Sequence, residues 1–568
     1  MTGGGPAVDP AVHLPADPAV PPGSRSGRRV VQGVAGAALL ISVLTLLSRV
    51  AGFGRTVVFT NAVGASSTGD TYVAANNVPN IVFEVVAGGA LASLVVPMLA
   101  AGIAAGDREQ VRRTASALLT WSLLVLVPLA AVLALLAHPI AGVLLGADAA
   151  DGAKVDLAAR FLQVFAPQVP LYGIAVVLTG VLQAHRRFAG PALAPLLSSV
   201  VVAAAYLLFA GTGGSREVDD LSRSAELVLG VGTTLGVVAL AASLLLPLRG
   251  LRLGLRPALR FPVGVAGRVR RLALAGVLTL AGQQLVAVVA IRLANDGAPD
   301  GTQTVYFAGM TVFLLPWSAL AVPLATSVYP GLSERAGLGD EPGYRRALAP
   351  VAVLTVTATA LAAGGLVAVS GPLARVFLAS HTDAGSVAAL QPTIAAFAPG
   401  LVGYGLVALL SRALYARGLW RAPTVCVAGG WLLAVVADLV LAAALPADRR
   451  GTALAAGHSI GVTAAGLALL AVVVRVSGRE AVTGLVRTGA PALLAGVLGG
   501  AAGLVTARAL GADPVPDGGV PAALGTGVVA GVVVVAVAGA VMMGVARRPL
   551  LAAVHGLRRA GRQEVAGG

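Results

Sequence analysis

Charge is scarce in this chain. Of 568 residues only 11% are Asp, Glu, Lys or Arg, against roughly a quarter in soluble globular proteins. Hydrophobic residues make up 57% and the mean hydropathy is +0.87. An ordinary soluble protein and a disordered chain are therefore both excluded, apart from the two ends. Cysteine occurs once, at Cys426, which excludes a disulfide framework and a cysteine-based metal site. Aromatic residues are 4% of the total, and no ten-residue alternation of apolar and polar positions recurs, which argues against a transmembrane β-barrel. The six histidines, His13, His138, His185, His381, His458 and His555, are scattered, and each is expected to be solvated or interfacial. No phosphate-binding loop, His-Glu-x-x-His, Cys-x-x-Cys or Ser-x-x-Lys stands in a usable context, so neither an enzyme nor a cofactor is expected.

What the chain has instead is a succession of long apolar runs. Fourteen lie between residues 31 and 546, among them 31–52, 70–102, 156–184, 272–295 and 387–416. Each is long enough to cross a ~30 Å hydrocarbon core as a helix, which satisfies every backbone group internally. The expected fold is an all-α polytopic membrane protein with 14 transmembrane helices. Residues 1–30, rich in Pro, Gly and Ser, read as a disordered basic tail. Residues 31–248 hold spans one to six, 249–271 a basic linker, 272–474 spans seven to twelve, 488–546 the last two spans, and 547–568 a second basic tail.

Basic residues near span ends stay on the cytoplasmic side. With both termini inside, the charge divides into +20 inside, −5 outside and zero within the spans. The overall +15 is thus a topology signal and an affinity for anionic membrane lipids, and it does not point to nucleic acid. An internal repeat is also visible. Phe165-Ala166-Pro167, Tyr172-Gly173, Leu182, Ala184 and Pro191 recur at a constant offset of 232 as Phe397-Ala398-Pro399, Tyr404-Gly405, Leu414, Ala416 and Pro423. Both copies run in the same direction, which predicts two parallel, pseudo-symmetric six-helix lobes around a central site, plus two extra C-terminal helices.

Six charges fall within or at the edges of the spans: Arg49, Arg55, Asp70, Glu84, Arg292 and Asp438. A charge at mid-bilayer costs ~3 kcal/mol or more, so each should face protein or a water-filled cavity. Arg49 and Arg55 are either snorkelling residues or a cationic wall that grips an anionic group, since guanidinium binds phosphate bidentately at any working pH. Span two adds Asn77, Pro79 and Asn80, where proline should interrupt the helix and expose carbonyls. Glu84 sits in Val-Phe-Glu-Val-Val without a polar neighbour. Asp438 is alone among apolar residues, and Gln283, Ser459 and Thr463 could join it as oxygen ligands. A monovalent cation or proton site and a hydrogen-bonded helix contact are the two readings of that set.

Ser48-Arg49-Val50-Ala51-Gly52-Phe53-Gly54-Arg55, then Gly64-Ala65, Asp70, Pro79-Asn80 and Val95-Val96-Pro97, closely resemble the first two spans of the MurJ (MviN) lipid II flippase family of the multidrug, oligosaccharidyl-lipid and polysaccharide exporter superfamily. Arg187-Phe188-Ala189-Gly190-Pro191-Ala192-Leu193-Ala194-Pro195, Pro316 and Tyr329-Pro330 extend the resemblance. It implies a cavity between two lobes, a lipid-tail groove made by the last two spans, and alternating-access transfer of lipid II or a related undecaprenyl pyrophosphate-linked glycan to the outer leaflet of the bacterial cytoplasmic membrane. It also implies drive by membrane potential, with or without a coupling cation, and cell-wall synthesis proteins as partners. Arg49, Arg55 and Asp70 fall on family cavity positions. The sequence departs from the family at Asn77 and Gly88, where a lysine and an acid are usual, and near Thr311, where an arginine is usual and Arg292 is the candidate substitute. A flippase for another polyprenyl-linked glycan, a drug exporter and a non-transporting scaffold are the competing readings.

Overall fold

The computed structural model describes residues 25–85, 95, 98–99, 102–103, 105–146, 152–251, 253–259, 265–380, 384–511 and 519–545, with side chains from 43 onward except 265–279 and 384. Among these residues there are helices and turns and no strand. The helices are α1 (Arg25–Ala62), α2 (Ser67–Val82), α3 (Arg108–Leu135), α4 (Ala137–Leu145), α5 (Gly152–Phe165), α6 (Gln168–Ala184), α7 (Ala189–Gly211), α8 (Arg223–Arg249) and α9 (Val265–Ala294) in the first half. The second half has α10 (Thr302–Pro316), α11 (Val322–Gly337), α12 (Glu341–Phe377), α13 (Ala384–Phe397), α14 (Gly400–Ala416), α15 (Arg421–Ala444), α16 (Arg450–Ser477), α17 (Leu485–Ala509) and α18 (Gly519–Val545). Where polar side chains interrupt the apolar sequence they set helix starts. Ser66, Asp107, Ser222 and Asp340 each accept a hydrogen bond from the backbone N–H three residues on, which occupies one of the orphan donors of a first turn.

Eleven helical segments are long and apolar enough to cross a membrane, or twelve when α13 and α14, bent by 42°, count as one. The remaining two expected spans are incompletely described, 70–102 because part of it lies outside the described residues and 272–295 because the side chains of 272–279 do, so fourteen is compatible with the structure. Both expected tails lie largely outside the described residues. The inner boundary of the first tail moves, because α1 already starts at Arg25. The linker is shorter than expected, because 265–271 belong to α9, and its first part binds α3. The Arg256 and Ala258 amides donate to Ser116 Oγ and Thr120 Oγ1, and Trp121 donates to the Leu259 carbonyl.

The repeat is a repeat of structure. The α5–α6 and α13–α14 pairs are both broken at the Phe-Ala-Pro motif, where proline has no N–H to continue the helical ladder, and every boundary of the second pair lies 232 residues after the first. Neighbours match as well. In the first lobe α7 packs on α8 and α1, α3 on α6, α2 on α5, and α6 on α8. In the second, α15 packs on α16 and α9, α12 on α14, α10 on α13, and α14 on α16. Even an irregularity is shared: a π turn follows proline in span two (Phe83–Val85) and in span eight (Trp317–Ala321). The aromatic that opens each turn lies against the equivalent tyrosine, Phe83 on Tyr172 at 4.7 Å and Trp317 on Tyr404 at 4.5 Å.

The last two helices pack on the second lobe, α17 and α18 both against α12. Glycine permits this approach. A Cβ at Gly364 would lie 2.2 Å from the Gly496 carbonyl oxygen, and one at Gly496 would lie 2.4 Å from that of Ala360.

The two lobes meet at the end of the bundle that carries Ala62, Ser67 and Gly301. There Asp70 accepts from two backbone amides of the other lobe, Gly301 N to Oδ2 and Thr304 N to Oδ1, both at 2.8 Å. Lys154 pairs with Asp300 at 2.7 Å, Arg216 donates to the Ser380 carbonyl at 3.0 Å, and Ser380 donates to Asn61.

Small residues at the α12–α17 contact give a test with an internal control. Gly364→Ala places a methyl against backbone and should destabilise the protein by ~1–3 kcal/mol. Gly365→Ala next to it meets nothing within 4 Å and should be neutral or stabilising by up to ~1 kcal/mol. Thermal unfolding of the two variants in detergent checks the opposite signs. For the lobe contact, Asp70→Ala strands two buried amides, each at a cost of ~1–3 kcal/mol, and should let that end open. Spin labels at the exposed positions Thr212 and Ala379 should report longer and broader distances in this variant, and an unchanged distribution would remove Asp70 from the closing role.

Candidate functional site

Away from the closed end, the lobes diverge around adjoining cavities that share lining residues. The largest encloses about 750 Å³ and is lined by Arg49, Arg55, Phe83, Glu84, Tyr172 and Thr311 among others. A smaller recess of about 150 Å³ runs deeper into the first lobe, between Arg55, Asn76, Asn77, Asn80, Tyr172 and Tyr206. A third, of about 490 Å³, lies on the second lobe's side between Gln283, Gln303, Tyr306, Trp317, Tyr404, Trp431 and His458. Phe307 borders all three.

Helix α1 presents both arginines to this space. A Cβ at Gly52 or Gly54, between them, would touch nothing within 4 Å. Glycine there leaves the wall open where it could have served close helix packing. Arg49 is exposed and Arg55 half-buried, and neither has a hydrogen-bond or carboxylate partner among the described residues. Glu84 lines the same cavity from the π turn of span two, without an ion pair to either. An unpaired guanidinium at membrane depth is costly. Its stable state is therefore one in which water or an anion fills the cavity. Phosphate suits it best, because the planar fork donates two parallel bonds to two oxygens.

Asn77 and Asn80 line the deep recess, but the helix is not interrupted. Helix α2 runs through Pro79 to Val82, and the Asn77 and Asn80 amides donate to the Val73 and Asn76 carbonyls at 2.8 and 2.9 Å. The recess therefore offers amide side chains where bare carbonyls were anticipated.

Two residues are placed elsewhere. Asp70 is buried at the closed end with both oxygens engaged, so it joins the lobes and does not line the cavity. Arg292 faces Asp296 at 3.1 Å, beside Gly146 at that same end, and so does not replace the arginine absent near Thr311. Thr311 itself lines the large cavity.

The Asp438 set does not converge. Asp438 is 0% exposed, packs on Gly457, and has no partner for either oxygen among the described residues. Ser459, two residues on and hence on another helix face, donates to the Ala396 and Phe397 carbonyls. Thr463 abuts Gly403 of α14, while Gln283 lines the second-lobe cavity. No group of three His, Cys, Asp or Glu among the described residues could hold a metal. The arrangement does not fit a cation cage and leaves one isolated carboxyl.

The aromatic residues were missed by sequence reasoning. Tyr172 and Tyr404 stood in the repeat and were legible as equivalents, but nothing marked them as cavity walls. His458 corrects the expectation that the histidines are solvated. It is buried, bonded at neither ring nitrogen, and ringed by Phe313, Phe397, Tyr404 and Trp431.

Comparison with known proteins places this geometry. Among curated sequences, the Burkholderia cenocepacia lipid II flippase MurJ is 27% identical over 394 residues, 67% of this chain and 73% of that protein. A probable lipid II flippase MurJ of Haemophilus influenzae is 23% identical over 395 residues, 67% and 75% of the two chains. A solved lipid II flippase MurJ in an inward closed conformation superposes with a TM-score of 0.68 at 18% identity, covering 89% of this chain and 99% of that one. An inward-facing multidrug transporter of the same superfamily gives 0.63 at 16% identity over 79% and 99%. Both structures share the fold: two helical lobes about a central cavity. The sequence profile described as Lipid II flippase MurJ matches residues 59–507, and on that match this chain belongs to the lipid II flippase MurJ family.

Proposed function

We propose that this protein carries lipid II, a polyprenyl pyrophosphate bearing a disaccharide pentapeptide, from the inner to the outer leaflet of a bacterial cytoplasmic membrane by alternating access. The observation that carries the reading is the pair of arginines, Arg49 and Arg55, without a partner among the described residues, in a cavity between lobes joined by Asp70 at the opposite end. The excess of basic residues on one side supports a reading with both termini and the open end in the cytoplasm, in which the cavity faces the leaflet where the substrate is made. The pyrophosphate enters against the arginines. Release of the Asp70 contact then lets the closed end part while the open end closes, and the anion leaves on the other side.

The membrane potential favours that direction. Each elementary charge crossing 100 mV gains ~2.3 kcal/mol, and a negative group moves outward down a negative-inside field. Asp438 is the candidate coupling group. A single buried carboxyl without ligands around it suits a proton better than a metal cation, whose shell needs several oxygens.

Arg49→Ala with Arg55→Ala removes the charge-assisted bonds to pyrophosphate, worth ~1.5–3 kcal/mol each. The double variant should fail to support growth of a flippase-depleted strain and lose at least tenfold in flipping by the purified protein. Full flipping by the double variant would assign the arginines to the interface, whereas retained growth support without flipping by either protein would favour a scaffold. Collapsing the membrane potential with a selective ionophore should slow flipping in vesicles, and an unchanged rate would eliminate the potential as the driving force.

A further inference from the structure

The second-lobe cavity differs in chemistry from the arginine-lined space it adjoins. It encloses about 490 Å³, within the range of small-molecule sites, and meets the deep recess at Asn77 and Phe307, which line both. The whole chain has four tryptophans and eight tyrosines, yet Trp317, Trp431, Tyr306 and Tyr404 all stand in this one wall. Their faces are fixed by contact. Trp317 lies nearly parallel to Tyr404 at 4.5 Å, and Trp431 stands edge-on to it at 6.4 Å.

The same lining holds polar atoms without a partner among the described residues: Gln303 is 2% exposed and its Nε2 is unbonded, while its Oε1 accepts from Asn295, and His458 is 6% exposed with neither ring nitrogen bonded. Such groups cost roughly 1–3 kcal/mol apiece unless something pairs them. Among the described residues the lining contains no Asp, Glu, Lys or Arg, so a charged ligand would be desolvated without compensation. The ligand that satisfies this wall is neutral, has a flat apolar face to set on an aromatic ring, and has hydroxyl or amide groups at its rim. A pyranose has these properties; phosphate and a carboxylate-bearing peptide do not.

We infer that this cavity is a sugar subsite, which receives the neutral carbohydrate of a lipid-linked glycan while Arg49 and Arg55 hold its pyrophosphate. The inference rests on the function proposed above and adds to it the place where the head group is selected. Trp431 supplies a stacking face, and Gln303 and His458 supply the hydrogen bonds.

The test compares two probes on the purified full-length protein by equilibrium binding of radiolabelled lipid: undecaprenyl pyrophosphate and the same lipid carrying its disaccharide. The wild type should bind the sugar-bearing lipid roughly tenfold more tightly. Trp431→Leu and Gln303→Leu should each erase that preference while keeping affinity for the bare lipid, which also shows that the variants are folded. Trp431→Phe should keep most of the preference, and Arg55→Ala should weaken both lipids. Equal wild-type affinity for the two lipids, a preference that survives both Leu variants, or equal weakening of both lipids by both Leu variants overturns the sugar subsite. Wild-type protein that binds neither lipid overturns the functional reading itself, and the subsite with it.

Discussion

Hydrocarbon cannot hydrogen-bond a peptide group, and the rest of this structure follows from that constraint. The described spans are helical, because only a helix pairs its N–H and C=O groups within itself. Where proline interrupts the ladder the backbone turns or shifts register, as at the two Phe-Ala-Pro breaks and in the π turns after Pro79 and Pro316. Helices that need no water between them can meet backbone to backbone, as α12 and α17 do at Gly364 and Gly496. Against that background a polar atom without a partner among the described residues stands out, and those at Arg49, Arg55, Gln303 and His458 line adjoining cavities.

The fold class was legible because a transmembrane span is written in composition. Length and hydropathy mark it regardless of what it touches. The two-lobe organisation was legible for a different reason: broken helices need proline, so Phe165-Ala166-Pro167 and Phe397-Ala398-Pro399 announce themselves, and the offset between them holds for the helix boundaries.

The cavity was only partly legible. An arginine in an apolar run is conspicuous at any position, which is why Arg49 and Arg55 could be singled out. Asp70 was equally conspicuous but was read as a wall of the cavity. Which way its side chain points depends on the turn before Gly301, more than two hundred residues away. Ser459 and Thr463 failed as ligands of Asp438 for a similar reason. Four residues apart on one helix, they share a face, but that face is turned to α14. The aromatic wall left no signal, since tyrosine and tryptophan in a membrane protein are as readily read as interface anchors.

The Asp70 contact, one of several between the lobes at the closed end, is asymmetric in what mutation can reach. Its acceptor is one side chain, Asp70, and its donors are the main-chain amides of Gly301 and Thr304. Substituting Thr304 leaves its donor in place. At Gly301 the left-handed φ of 93° and the Ala65 carbonyl, 2.7 Å from where a Cβ would sit, keep the residue small. Drift in the sequence can therefore tune this contact through a single codon on one lobe, while the other lobe contributes a part that is inherited with the backbone.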